Sequence, residues 1–196
     1  MTDMLRIAIT PEEILPGEAK MITTVLSAGW DMVHLRHPRA TTADMRRLIE
    51  SIPQQFHRRL RLHGHFVLTN EFNLGGLHLN SRCPQPPDGY SGAVSRSCHT
   101  VDEVRTAAEA KAFDYVTLSP VFDSLSKCGY SAAFTPEEIA EATSVEGVKL
   151  IALGGITPAT AALAKDMSFD GFAVLGYLAE AEASGQLSRA VNEFEN

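Results

Sequence analysis

Two glycine-ended apolar segments near the C-terminal end of the sequence could together bind a phosphate group. One segment ends in Gly154 and Gly155, and the other ends in Leu175 and Gly176. Thr157 lies between them, at the predicted start of a helix. Backbone N–H groups of glycine loops and of a helix N-terminus can converge on an anion, because no Cβ obstructs the approach. These glycines could also serve only tight turns, but the loops after strands 7 and 8 of α/β barrels form a recurrent phosphate site.

Polar residues in the segment 119–131 could bind the same phosphate from the opposite side. Ser124 and Ser126 offer hydroxyl groups, and Lys127 offers a charged ammonium group. Charge-assisted hydrogen bonds of this kind favour anions. The alternative is an ordinary solvated loop.

Further polar side chains recur where other apolar segments end. In a parallel barrel, the residues at the C-terminal ends of the strands carry the chemistry. The candidates for substrate binding there are His34, Arg36, Asn70, His78 and Ser97, with Glu71, Asn80 and Ser95 beside them.

His99 follows the fifth apolar segment and is the candidate for proton transfer. Histidine is the side chain whose ordinary pKa lies near neutrality, as a general acid or base requires. Cys98 precedes it and invites a Cys–His nucleophile. Adjacent residues of a strand face opposite sides, so we reject that pairing.

The elements that must position these residues alternate regularly. Helical spacing of apolar residues separates short apolar runs, which indicates a (βα)8 TIM barrel as a single domain over residues 1–196. An open, doubly wound sheet is the competing architecture. The predicted strands are 5–10, 32–37, 65–69, 76–79, 92–98, 114–120, 149–155 and 171–176, and the predicted helices are 17–28, 41–56, 100–112, 135–145, 157–167 and 177–192.

Two connections are too short or too rich in proline and glycine for full helices. Residues 70–75 allow at most one helical turn after strand 3, and residues 80–91 contain three prolines after strand 4. The barrel should therefore lack two outer helices. A partner subunit could cover the apolar surface left there, which predicts a homodimer or larger assembly.

Composition narrows the classes of partner. The 196 residues are 44% hydrophobic and carry a formal net charge of −7, so nucleic acid and anionic membranes are not expected partners. No signal-like or membrane-length apolar segment stands out, and the three cysteines lack metal-type spacing. A cytoplasmic protein that binds a small molecule is expected.

Three motifs resemble the thiamine phosphate synthase/TenI family. SRSCHTVDEV at 95–104 is similar to the family's G-x-S-x-H-[ST]-x-x-E stretch, and DYVTLSPVFDSLSK at 114–127 is similar to its DY-x-x-x-GP-[VI]-[FY]-x-T-x-TK stretch. LIALGGIT at 150–157, together with GFAVLG at 171–176, completes the likeness. The resemblance implies a TIM barrel that binds a thiazole phosphate.

The family has two activities. The synthase joins a pyrimidine pyrophosphate to a thiazole phosphate, with Mg²⁺ on the diphosphate and ionisation to a pyrimidine cation. The TenI branch is a thiazole tautomerase that moves protons and needs no metal. By motif, the thiazole phosphate would be bound by Ser124, Ser126, Gly154, Gly155, Leu175 and Gly176, and the pyrimidine pyrophosphate by Ser97 and Lys127.

Departures from the synthase pattern favour the tautomerase. The family's Q-x-R-x-K on strand 2 is HLRHP here and keeps only Arg36, and its N-D-R after strand 3 is Asn70-Glu71-Phe72. Cys83 replaces the second magnesium-binding aspartate, and a thiol is a poor ligand for Mg²⁺. We therefore expect a TenI-like tautomerase with His99 as its catalytic residue and no metal cofactor.

Three alternatives remain at this stage. The first is a divergent synthase that uses Mg²⁺. The second is a phosphosugar-epimerase-like or hydrolytic barrel with a metal on His34, His78 and Glu71. The third is a non-catalytic protein that binds a thiamine precursor.

Overall fold

The computed structural model describes residues 4–122 and 134–194, which form a closed barrel of eight parallel strands. Each strand pairs with its neighbours in chain order, and β1 also pairs with β8. The predicted barrel is confirmed, and the open sheet is wrong. The strands are β1 (Leu5–Ile9), β2 (Met32–Leu35), β3 (Leu60–Leu62), β4 (Gly76–Leu79), β5 (Val94–Cys98), β6 (Tyr115–Leu118), β7 (Lys149–Leu153) and β8 (Gly171–Val174).

Helices connect most of the strands and surround the barrel. Threonine caps begin several of them: the hydroxyls of Thr41, Thr135 and Thr157 each accept a hydrogen bond from the third helical N–H of a capping box. The helices are α1 (Glu18–Ser27), α2 (Thr42–Glu50), α3 (Val67–Glu71), α4 (Val101–Ala110), α5 (Pro136–Thr143), α6 (Pro158–Asp166), α7 (Gly176–Ala183) and α8 (Leu187–Ala190), with 3₁₀ helices at Gln54–Arg59 and Val191–Phe194. None of these helices has the length and hydropathy to cross a bilayer.

The third strand lies earlier in the chain than the sequence suggested. The predicted strand 65–69 is wrong, because α3 begins at Val67 and β3 occupies 60–62. The short segment Leu60–Leu62 alternates correctly for a barrel, with both leucines buried on the outer side and Arg61 on the inner side. The helix after β3 is reduced to five residues, and none follows β4 before β5, as expected.

The inside of the barrel has an apolar half and a polar half. Ile7, Ile9, Ile151 and Ala173 pack together from β1, β7 and β8. Buried polar side chains occupy the half formed by β2 to β6. They are His34, Arg61, His63, His78, Ser95 and Thr117.

Candidate functional site

The loops after β7 and β8 form the predicted phosphate-binding corner. Gly154 and Gly155 both have positive φ angles, 96° and 63°, which favour glycine. A Cβ on Gly154 would lie 2.9 Å from Pro120, so this glycine also permits close packing of the loop after β6. Leu175 precedes α7 and offers no side-chain cap, so the first N–H groups of that helix, from Gly176 onward, have no side chain from their N-cap residue to satisfy them.

β7 and β8 are neighbours in register, with Leu153 opposite Ala173. Gly154–Gly155 and Leu175–Gly176 therefore follow adjacent strands at the same end of the barrel. The other predicted phosphate ligands, Ser124 and Ser126, and the predicted pyrophosphate ligand Lys127, lie outside the described residues.

His99 lies at the same end of the barrel, exposed at the end of β5. Its Nδ1 lies 3.0 Å from the carbonyl oxygen of Ser119, to which only a protonated Nδ1 can donate. Its Nε2 then carries the lone pair that a general base needs. Cys98 is buried in the outer core, and burial raises the pKa of its thiol to about 12, so the two residues form no nucleophile–base pair.

Below this rim, His34 and His78 are fully buried. Nε2 of His34 lies 2.5 Å from the Tyr115 hydroxyl. His78 contacts the hydroxyls of two serines, with Nδ1 3.0 Å from Ser95 and Nε2 2.9 Å from Ser97. His34 and His78 thus belong to a buried layer beneath the rim, which we call the floor. The partly exposed Ser97 connects the floor to the rim.

Sequence reasoning missed His63, which completes this floor. Its Nε2 lies 2.9 Å from Nδ1 of His34, and its ring stacks on that of His78 with centroids 4.2 Å apart. The signal was the alternation in LRLHGH, where Arg61 and His63 share a face.

The three histidines of the floor are uncharged at neutral pH. Burial lowers the pKa of His78 to about 3, with a further lowering by the charge of Arg61. Burial also holds the pKa values of His34 and His63 well below their ordinary range, and repulsion from a protonated His78 would lower them further. Arg61 donates to Asp114 at 2.7 Å and lies over the Tyr115 ring.

Two predicted substrate ligands have other surroundings. Arg36 is half-buried at the rim and forms an ion pair with Glu12 at 3.0 Å. Asn70 lies in α3 and lines a cavity with Arg58 and Gly75, which precedes β4. That cavity is at the N-terminal ends of the strands, so the prediction that Asn70 follows a strand at the rim is wrong.

Glu71 also lies away from the floor. It is exposed and forms a two-point ion pair with Arg46, with Nε 2.7 Å and Nη2 2.8 Å from its carboxylate oxygens. The metal set of His34, His78 and Glu71 is therefore wrong, because the third nitrogen beside the two histidines comes from His63.

Comparison with known proteins identifies the family. The TMP-TENI family model, described as thiamine monophosphate synthase, matches residues 7–178. The chain belongs to this family. Among curated TMP-TENI relatives, the thiamine-phosphate synthase of Chlorobium luteolum is 25% identical over 194 residues, covering 93% of this chain and 89% of the relative. The bifunctional ThiM/ThiE protein of Symbiobacterium thermophilum is 25% identical over 197 residues, and the match covers 93% of this chain but only 38% of that protein.

Solved structures agree with this assignment. A thiamine phosphate pyrophosphorylase from Bacteroides thetaiotaomicron is 34% identical, with a TM-score of 0.86 over 98% of this chain and 96% of the other. A second, from Pyrococcus furiosus, is 19% identical with a TM-score of 0.76 over 97% and 94%, and supports the fold alone. The chain is thus an enzyme of the thiamine-biosynthesis TMP-TENI family.

The Mg²⁺ ion that this family implies does not fit Glu71 and Cys83, the two positions at which the sequence departs from the family's metal ligands. Glu71 is held by Arg46 on the outside of the barrel. Cys83 offers a thiol, within the turn in which its N–H donates to the Asn80 carbonyl. Mg²⁺ prefers oxygen ligands in octahedral geometry. These residues provide no such pair, so we derive no catalytic step through a metal.

Proposed function

We propose that this protein joins a pyrimidine pyrophosphate to a thiazole phosphate, which is the thiamine phosphate synthase reaction. The observation that carries the proposal is the likeness to the Bacteroides thetaiotaomicron pyrophosphorylase over nearly the full length of both chains. The curated relatives bear the same name. This differs from the tautomerase that the sequence favoured. The cytoplasmic location expected from the sequence also stays a prediction.

The geometry of the rim supports two substrates. The glycine corner after β7 and β8 suits the phosphate of the thiazole. The opposite half of the rim, after β2 to β5, presents Arg36 and Ser97 above the histidine floor. In the reaction, the C–O bond to diphosphate breaks and a C–N bond to the thiazole forms, so no proton must leave either substrate.

Arg36 is the described cation best placed for the leaving diphosphate. Its side chain is 24% exposed, and its partner Glu12 is 48% exposed. A diphosphate carries more charge than Glu12 and can compete for the same guanidinium group, which binds phosphate oxygens in pairs.

The thiazole tautomerase is the second candidate, favoured by His99. The hydrogen bond to the Ser119 carbonyl leaves Nε2 as a base at the rim. The carboxylate of Glu71 is held by Arg46 away from the floor and Cys83 offers a thiol, and both features point the same way.

Product identification separates the two reactions. The purified protein is incubated with each thiazole phosphate tautomer, with and without pyrimidine pyrophosphate and Mg²⁺, and the products are identified by mass spectrometry and NMR. We expect thiamine phosphate when both substrates are present. Interconversion of the tautomers without any thiamine phosphate would contradict the synthase and support the tautomerase.

A matched pair of variants tests the rim assignment. Arg36→Gln should raise KM for the pyrimidine pyrophosphate, because it removes the paired donors. Arg39→Gln is the control, since Arg39 forms a similar ion pair with Glu13 but is 73% exposed. Equal KM values for the two variants would remove Arg36 from the site.

A further inference from the structure

The three histidines of the floor have the composition of a metal site rather than of a packed core. His34 and His78 are at most 1% exposed and His63 is 9% exposed. One ring nitrogen from each lies within 4.8 Å of the other two. The three imidazoles come from β2, from the residue that follows β3 and from β4. Three histidines are a ligand set that zinc enzymes use, with a fourth position left for water or substrate.

Hydrogen bonding fixes which ring nitrogen of His78 holds the lone pair. The Ser95 hydroxyl donates to the Leu77 carbonyl at 3.2 Å, so it accepts from Nδ1–H of His78. Nε2 of His78 then holds the lone pair and accepts from the Ser97 hydroxyl at 2.9 Å, a donor that a bound metal ion would replace. A metal-bound histidine almost always donates its other N–H to such an acceptor, which fixes the ring and its tautomer.

His34 has the same arrangement. In the tautomer that metal binding requires, Nε2–H of His34 donates to the Tyr115 oxygen at 2.5 Å, and the Tyr115 hydroxyl is directed at the Met32 sulfur, 3.8 Å away. Nδ1 of His34 therefore carries the lone pair, and it faces His63 at 2.9 Å. If the His63 ring carries its proton on Nδ1 rather than on Nε2, then Nδ1 of His34 and Nε2 of His63 both have a free lone pair and can bind one ion.

A further polar group on this side of the barrel is unsatisfied. The Thr117 hydroxyl is fully buried and finds no hydrogen-bond partner in the part of the chain that the structure describes. Thr117 lies opposite Ser97 in the ladder, and Ser97 contacts His78. A buried hydroxyl of this kind calls for a partner such as a water or an ion.

Fixed positive charges around the floor oppose a cation: Arg61 acts on His34 and His78, and Arg36 and Arg82 act on His63. Arg61 lies within range to lower the pKa of His34 and His78, but its guanidinium group donates to the Asp114 carboxylate. Three neutral imidazoles leave the charge of a divalent ion uncompensated. The fourth ligand should therefore be an anionic oxygen.

We propose that His34, His63 and His78 bind one divalent transition-metal ion, with zinc as the preferred class. Neutral imidazole ligands suit Zn²⁺, Co²⁺ and Cu²⁺, whereas Mg²⁺ prefers oxygen. The site is independent of the proposed function, because its test needs neither substrates nor turnover.

The test is metal binding by the untagged, chelator-treated protein. Co²⁺ titration should give the visible absorption bands of a tetrahedral complex, saturating at one ion per chain and displaced by Zn²⁺. X-ray absorption of the zinc-loaded wild type should show imidazole nitrogen ligands, and zinc should raise the unfolding temperature. No saturable binding would overturn the proposal, as would a bound ion without imidazole ligands.

Variants assign the ligands. His63→Asn should lose stoichiometric binding, and Ser95→Ala, which removes the acceptor for His78 Nδ1–H, should weaken binding roughly tenfold or more. His65→Asn is the control, because His65 is only two residues from His63 but bonds to Thr42 outside the floor. Asparagine also tolerates the positive φ of that residue. Unchanged binding in His63→Asn would overturn the assignment, and if that variant does not fold, the Ser95→Ala result decides.

Discussion

The histidines of this barrel differ in what surrounds their rings, and this gives them different chemical roles. His99 is exposed at the rim, and its Nδ1 contacts Ser119, 3.0 Å from the carbonyl oxygen and 3.4 Å from the hydroxyl. His34, His63 and His78 lie in a buried network in which burial lowers their pKa values. A buried neutral imidazole is a better ligand than proton donor. Proton transfer, if this protein catalyses it, therefore belongs to His99.

The His99→Asn variant tests this role. A positioned general base contributes ~10²–10⁴-fold, so kcat for thiazole tautomerisation should fall by about that factor. Phosphate affinity should hardly change, because the glycine corner lies on other strands. Stopped-flow or NMR assays of tautomer conversion measure the effect, with His65→Asn as the control. Equal kcat values for the two variants would exclude His99 as the base.

Site residues could be predicted from the sequence only where their strand was placed correctly. His34 and His78 follow from alternation on β2 and β4 and lie inside the barrel. His63 was missed and Asn70 misplaced for the same reason, namely that strand 3 was assigned to 65–69. One wrong strand thus hid His63 and misplaced both Asn70 and Glu71.

At the scale of elements, seven of the eight strands could be read from apolar runs. Most of those runs are buried on both faces or end in turn-forming glycine, so the signal is strong there; β5, with the partly exposed Arg96 and Ser97, is the weakest of them. β3 has only three residues, one of them an arginine, and therefore gives no apolar run. Its place is set by pairing with β2 and β4, a long-range effect that a local pattern does not contain.

The loop after β7 can be tested with two glycine-to-alanine variants. Gly154 and Gly185 both have positive φ angles, 96° and 70°. A Cβ would meet Pro120 at 2.9 Å in Gly154→Ala but nothing within 4 Å in Gly185→Ala. In both variants the free energy of unfolding should fall by about 1–2 kcal/mol, because alanine disfavours the left-handed conformation. In Gly154→Ala the free energy of unfolding should fall by about 1–3 kcal/mol more, because the new Cβ is too close to Pro120.

Phosphate binding gives the functional part of the same comparison. A displaced loop after β7 would lose charge-assisted hydrogen bonds to the anion, which are worth roughly 1.5–3 kcal/mol each. Calorimetric titration with thiazole phosphate should therefore show at least about tenfold weaker binding for Gly154→Ala and unchanged binding for Gly185→Ala. Unchanged affinity in Gly154→Ala would place the phosphate elsewhere.

For the whole molecule, the homodimer expected from the sequence stays a prediction, but its stated reason does not hold. The outward residues of β3 and β4 are buried within the single chain: Leu62 and Leu77 are 0% exposed and Leu79 is 4% exposed. The exposed apolar side chain in that region is Val67 on α3, at 66%. Light scattering at micromolar concentration tests assembly. If a dimer forms there, Val67→Lys should dissociate it, whereas a monomeric wild type contradicts the prediction.

The buried histidines also make the stability of the whole barrel depend on pH. In the metal-free protein, the folded-state pKa of His78 is about 3, below its unfolded value of about 6.5. Above pH 6.5 neither state binds the proton, so the effect is absent. As the pH falls below that value, the unfolded chain binds the proton and the folded chain does not, so the free energy of unfolding decreases until the pH nears the folded pKa.

The magnitude is measurable against a variant. Each such histidine contributes a slope of about 1.4 kcal/mol per pH unit once the unfolded state is protonated. Urea unfolding in the presence of a chelator, between about pH 7 and about pH 4.5, should therefore show a steep loss of stability in the wild type. His78→Asn removes one titrating group, so its slope should be smaller by about 1.4 kcal/mol per pH unit. Parallel slopes for the two proteins would mean that His78 is protonated in the folded state, and that the floor of the barrel is more open to water than its burial indicates.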